Sequence, residues 1–182
     1  MKWLSVLALS VFSLFATAQN VSLDISKSTM TVEGTSTIHD WESNVEKFTS
    51  NGTLSQTEGT SIESIALNVQ VESIKSGKSG MDKKTYEALK SEKNPTISFQ
   101  STRAAVLSGD KVIIIGKLSV AGATKEISIP VTAKIAGNTL MISGSYSIHM
   151  PDYGMERPTA MMGTIKAGEN IKVVFNLVYL IK

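Results

Sequence analysis

The chain has 182 residues, 42% of them hydrophobic, which is enough for one domain with a sizeable core. Eighteen basic and sixteen acidic residues leave a net charge of +2, too little to draw the protein to nucleic acid or an anionic membrane by bulk charge. Without a cysteine there is no disulfide framework and no lipoprotein attachment site. In chain order, residues 1–18 (MKWLSVLALSVFSLFATA) come first: basic Lys2, an apolar run from Trp3 to Phe15, then Ala16-Thr17-Ala18. That pattern predicts a secretory signal peptide cleaved after Ala18, leaving residues 19–182 as one exported domain in the periplasm or outside the cell. The run is short of the roughly twenty apolar residues that span a bilayer, so an integral membrane protein is not expected.

Val21 to Ile38 alternates, with Met30, Val32, Gly34, Ser36 and Ile38 on one face. Such threonine-rich alternation suits a half-buried strand. His39-Asp40-Trp41 leads to a second extended segment ending near Leu54, and Ile62 to Ile74 is the cleanest strand pattern. A short helix is expected near residues 82–91, with Asp82 as N-cap and a Met81–Tyr86 staple. Tyr86 and Leu89 would face inward, and Asn94-Pro95 would end the helix. Further strands follow from Ile97 to the Ser108-Gly109-Asp110 turn, and over Lys111–Val120, Lys125–Ile135 and Leu140–Ile148. Gly137-Asn138 is a tight-hairpin signal. A loop from Met150 to Glu169 is expected before a last strand, Ile171–Ile181. Both faces of that strand are apolar, which suits helix packing, a homodimer contact or core alike.

Evenly spaced short strands joined by tight turns predict an all-β fold. Pairing in chain order favours an antiparallel up-and-down barrel of about eight strands with one inserted helix. A barrel of that size is packed solid or holds one small ligand. Ile65, Leu67, Val69 and Val71 would face inward, as would Ile114, Leu118, Ile142, Gly144, Tyr146 and Phe175. Trp41, Phe48, Tyr86 and Phe99 either line a channel or fill the core. Gly116, Ala133 and Gly144 either leave room among larger neighbours or fit the curvature of the strands.

Four stretches carry a family resemblance. Asp82 to Thr102, DKKTYEALKSEKNPTISFQST, resembles the helix-then-strand signature of the YceI-like family. Gly116 to Val131, GKLSVAGATKEISIPV, resembles its Gly-x-Leu-x-x-x-Gly-x-Thr-Lys hairpin, and Tyr146 to Met155, YSIHMPDYGM, its Asp-Phe/Tyr-Gly segment. STIHDW, Ser36 to Trp41, is similar to exported members. The resemblance implies a lipocalin-like barrel whose apolar interior binds a long isoprenoid chain, a polyprenyl phosphate or a quinone tail. It brings no catalytic residue and no cofactor. Many relatives have Arg before their Ser-Asp-Phe-Gly segment, where Met150 stands here.

The polar residues open further readings. His39 and Asp40 are adjacent and point to opposite faces of an extended chain. His39, His149 and Asp152 would form a metal or acid/base cluster only if the fold gathers them; two histidines are few for zinc. Arg103 and Arg157 either close a barrel end or join His39, His149 and Asp152 in holding a headgroup. The loop His149–Met162 offers Met150, Met155, Met161 and Met162, which read as an apolar rim or, alternatively, as a periplasmic Cu(I) site. The reading expected from the whole sequence is an exported, non-enzymatic binding protein for an amphiphilic isoprenoid lipid, with no metal.

Overall fold

The computed structural model describes residues 18–57 and 59–182, so all but the last residue of the expected signal peptide lies outside the described residues. The described elements are β1 (Ala18–Leu23), β2 (Thr29–Ser36), β3 (Trp41–Val45), β4 (Phe48–Ser55), β5 (Ser61–Gln70) and β6 (Ile74–Lys75). The helix α1 (Ser79–Leu89) follows, then β7 (Thr96–Ser101), β8 (Ala105–Val106), β9 (Lys111–Val120), β10 (Ala123–Ala136), β11 (Thr139–His149), β12 (Thr159–Ala160) and β13 (Ile165–Ile181).

Several of these strands are halves of one longer stave. A 3-10 turn, Ile25–Lys27, separates β1 from β2, and Glu46-Lys47 separates β3 from β4. A second 3-10 turn, Val71–Ser73, separates β5 from β6. The staves pair antiparallel in chain order: β1–β4 and β2–β3, β4–β5 and β3–β6, then β5–β7, β7–β9, β9–β10, β10–β11 and β11–β13. The long β13 closes the circle. Val173 pairs with Val32 of β2, and Ile181 with Val21 of β1. The result is a closed, eight-stave, up-and-down antiparallel barrel with one helix, and closure removes the exposed strand edges that invite aggregation.

Register carries the inward alternation around the barrel. Val131 faces Gly144, Gly144 faces Phe175 and Phe175 faces Met30, one layer drawn from four staves. Gly137-Asn138 makes the expected two-residue hairpin, with Gly137 at φ 57°, a left-handed conformation cheap only for glycine. At one end Val21, Leu54, Ile62 and Leu140 are almost wholly buried and plug the barrel. There the Tyr179 hydroxyl bonds to Ser50 Oγ at 2.7 Å, and Ser50 donates to the Ala66 carbonyl. Burial pushes the Tyr179 phenol up to about 12 despite the Ser50 bond.

Three expectations are corrected. The helix begins at Ser79, so Asp82 sits inside its first turn and is no cap. The Asp82 carboxylate instead reaches back across the preceding loop and accepts from Ser76 N at 2.8 Å and Ser76 Oγ at 2.6 Å. Burial raises the Asp82 pKa, but these bonds outweigh it and hold the carboxyl below its usual range. The last strand starts at Ile165, six residues early, because β12 and β2 offer its first residues partners. The strand after the helix ends at Ser101, well before the Gly109 turn, and only β8 resumes pairing.

Candidate functional site

Opposite the plugged end the barrel is open, and an apolar cavity of about 460 Å³ runs down from that mouth. Along β13 alone the wall extends from Ile165 to Tyr179. That is about 46 Å of strand, or about 35 Å along the axis once the usual stave tilt is allowed for. A volume of that size spread over such a length is a channel about one hydrocarbon chain wide.

The deep wall is built from Ile65, Leu67 and Val69 of β5, Phe99 of β7, and Ile114 and Leu118 of β9. Ile142 and Tyr146 of β11 and Phe175 of β13 complete it, and Trp41 stands at the mouth. These ten sequence-predicted residues are therefore brought together. Glycines shape this wall in a way the sequence reading missed. A β-carbon on Gly116 would collide with the Phe99 ring, and one on Gly34 with the Trp41 ring. One on Gly144 would sit 3.2 Å from both Phe175 Cζ and Val131 Cγ1. The space beside these glycines is thus taken by aromatic rings that lie over them. Glycine lets a ring lie against the wall and so keeps the middle of the barrel clear.

Four predicted lining residues fall elsewhere. Gly144 does not reach the cavity, because Phe175 and Val131 occupy its inner side. Phe48 is core packing opposite Val69, just past the break between β3 and β4. Val71 leaves the strand alternation at the Val71–Ser73 turn, where its amide bonds the Pro95 carbonyl at 2.9 Å. Tyr86 faces the barrel but outside the cavity, packed against the core and docking α1 on the turn before β6: its hydroxyl accepts from Lys75 Nζ at 2.7 Å and donates to the Glu72 carbonyl at 2.9 Å. That bond raises the Lys75 pKa, and Lys75 Nζ also lies 5.1 Å from the Tyr86 ring centroid.

Tyr86 packs against the core beside the cavity, and α1 presents a neighbouring stripe to the cavity itself, Met81, Lys84, Thr85, Ala88 and Leu89. These residues recur at the three- and four-residue spacing of one helix face, so the stripe was readable once the start at Ser79 was known. The helix is a cover pinned at both ends, by Asp82 to Ser76 and by Lys90 Nζ to the Gly154 carbonyl at 2.8 Å. The rest of the mouth is formed by Ile38 and His39 and by the segment Pro158–Ala160. His39, Lys78 and Lys84 supply the ionisable nitrogen groups of the lining; no described carboxylate lines the cavity, but Lys84 Nζ is paired with Glu87 at 2.7 Å. Farther in, Ser43, Tyr146 and Tyr179 bring hydroxyls to the wall, and burial raises the Tyr146 pKa.

Of the five headgroup candidates, His39 alone borders the cavity, its Nδ1 2.7 Å from the Asp40 carbonyl. Arg103 follows β7 toward the plugged end and is exposed on the outer wall. His149, Asp152 and Arg157 lie outside the mouth in an exposed ion cluster. His149 Nδ1 is 3.4 Å from Asp152, His149 Nε2 is 3.6 Å from Glu169, and Arg157 is 3.8 Å from Glu169. Exposed pairs of this kind contribute about 0–1 kcal/mol. The soft-ligand reading loses its geometry here: Met150 and Met155 are buried in the cavity wall, while Met161 and Met162 project into solvent. His39 borders the cavity and is not among the partners of His149, so His149 and Asp152 come together without it, and the methionines are not gathered around His149.

A model of the YceI-like domain matches residues 15–179. The chain belongs to the YceI-like family. No curated protein sequence matches this YceI-like chain. Its fold is similar to the crystal structure of Burkholderia cenocepacia BcnA, with 19% identity, a TM-score of 0.73, and coverage of 86% of this chain and 98% of that one. A polyisoprenoid-binding domain from Saccharophagus degradans, implicated in plant cell wall breakdown, aligns at 12% identity and a TM-score of 0.68, covering 89% of this chain and 98% of that one. The YceI protein of Campylobacter jejuni aligns at 14% identity and a TM-score of 0.54, covering 66% and 73%.

Proposed function

We propose that this YceI-like protein is an exported carrier that holds one long isoprenoid chain in its barrel with the polar head at the mouth. The observation that carries the reading is the channel: long, narrow, apolar and open at one end. A compact ligand would leave most of that length empty, whereas an extended chain gains about 0.8 kcal/mol for each methylene-sized unit buried. The Saccharophagus domain, described as polyisoprenoid-binding, supports the same class of ligand.

The mouth favours a head that is anionic or neutral and rich in acceptors, such as a polyprenyl phosphate or a quinone. Lys78, Lys84 and His39 are donors, and the wall carries no described carboxylate to attract a cation. Met150, where the resemblance places Arg in many relatives, is buried in the wall, so the head is uncharged or is held from elsewhere, by Lys78 and His39 and by Lys84, which also pairs with Glu87 at 2.7 Å. Export rests on Lys2, the apolar run to Phe15 and Ala16-Thr17-Ala18.

Native mass spectrometry of protein recovered from its own host tests this reading. An isoprenoid adduct on a chain beginning at Gln19 is expected. Protein that carries no lipid, and takes up none when polyprenyl phosphate or quinone is added, would refute the carrier assignment.

A further inference from the structure

The mouth carries a feature that ligand binding does not use. Met162 is fully exposed, Met161 is 73% exposed and Ile38 is 61% exposed. All three lie on two adjoining loops. Thr37 N donates to the Lys166 carbonyl at 3.0 Å, and Lys166 N donates to Thr37 Oγ1 at 3.3 Å, which ties the Ile38 turn to the segment holding the methionines. Both methionines have left-handed backbones, φ 50° and 51°. That conformation is unfavourable for a residue with a β-carbon, and here it holds two large apolar side chains in water without packing them against the barrel.

We infer that Ile38, Met161 and Met162 form a lip that docks the open end of the barrel on the surface of a lipid bilayer. The lip is continuous with the cavity: Ile38 itself, and Ala160 and Ile165 on either side of the methionine turn, line the mouth. An apolar path therefore runs from the exposed lip into the channel, which is what transfer of a chain between bilayer and barrel requires. Flexible, unbranched methionine adapts to an irregular acyl surface. Lys166 adjoins the lip through Thr37, and exposed Lys78 and Lys84 border the same mouth, Lys84 paired with Glu87 at 2.7 Å; Asp40 is the exposed carboxylate nearest Ile38 in sequence. The net charge of the chain is small, so apolar insertion provides most of the attraction and the lysines add a modest preference for anionic lipid. The choice of a bilayer as occupant rests on the lipid-carrier reading above.

The absence of cysteine allows a test that reads position. Thr164→Cys beside the methionines, and Gly109→Cys in the loop between β8 and β9 toward the plugged end, each carry one environment-sensitive fluorophore. Plain phosphatidylcholine vesicles, with and without phosphatidylglycerol, should shift the Thr164 label to the blue and leave the Gly109 label unchanged. Adding M161S and M162S should weaken vesicle partition about tenfold or more. No shift at Thr164, an equal shift at Gly109, or full partition by the serine variant would overturn the inference. So would a Thr164 shift that needs only higher protein concentration, since a second copy would then be covering the lip. Isoprenoid retention is measured separately in lipid extracts of the same proteins. Retention without docking refutes the lip alone; docking without retention upholds the lip and refutes the carrier reading.

Discussion

Val173→Phe should move the stability of the empty barrel and its affinity for lipid in opposite directions. Val173 lies in the cavity wall and is only partly buried, so its free side faces the channel. At about 24 cal/mol per Å³, a dry apolar void of about 460 Å³ would cost about 11 kcal/mol, comparable with the whole stability of an ordinary domain. Carbon placed in that space is therefore favourable. Phenylalanine adds about four carbons, worth up to about 3 kcal/mol at 0.8 kcal/mol each. Side-chain ordering and imperfect fit reduce this to about 1–2 kcal/mol, or roughly 2–8 °C in Tm for a domain of this size. A bound isoprenoid loses the same contacts, so its Kd should rise about a hundredfold. Thermal melts of delipidated protein, and titration of the same samples with polyprenyl phosphate, measure both quantities. A melt several degrees below the parent would mean that the space is already packed. Unchanged affinity would put the lipid elsewhere.

Three further outcomes follow from buried polar groups. Asp82→Ala should cost about 1–2 kcal/mol by freeing the loop at Ser76. The Asp82 pKa is lowered in the folded protein, so its contribution is present above the ordinary carboxylate pKa and is lost as pH falls through the lower folded value. Acid melts of the parent and the variant should therefore begin to converge below about pH 4. Tyr179 behaves in the opposite sense. With its phenol raised to about 12, the unfolded chain loses that proton first, and stability should fall as pH rises from about 10 to 12. Tyr179→Phe should flatten that alkaline slope in urea titrations while losing the Ser50 bond at neutral pH. Tyr153 is 3% exposed and its hydroxyl has no partner among the described residues, so Tyr153→Phe should raise Tm slightly; a drop would show that the hydroxyl is satisfied.

The inward alternation of Ile65, Leu67 and Val69, of Ile114 and Leu118, and of Ile142 and Tyr146 was legible because a strand puts every second side chain on one face. Gly137-Asn138 was legible because its turn requires a local left-handed backbone. Local chemistry of this kind established the strands, the hairpins and the closed meander, and the motifs on them named the family. It failed wherever the deciding partner was distant in sequence. Asp82 had the credentials of a cap, but Ser76 across the loop claimed its carboxylate. Gly144 looked like an empty place until Phe175, its partner on β13, was seen over it. His39 and His149 were possible neighbours until the topology put one at the cavity mouth and the other on the outer surface. Sequence alone thus determined which side chains of the regular strands face inward. Only the tertiary structure decided how far the interior is filled, which end is open and what stands around that opening, because those depend on contacts between residues that the chain brings together only when the barrel closes.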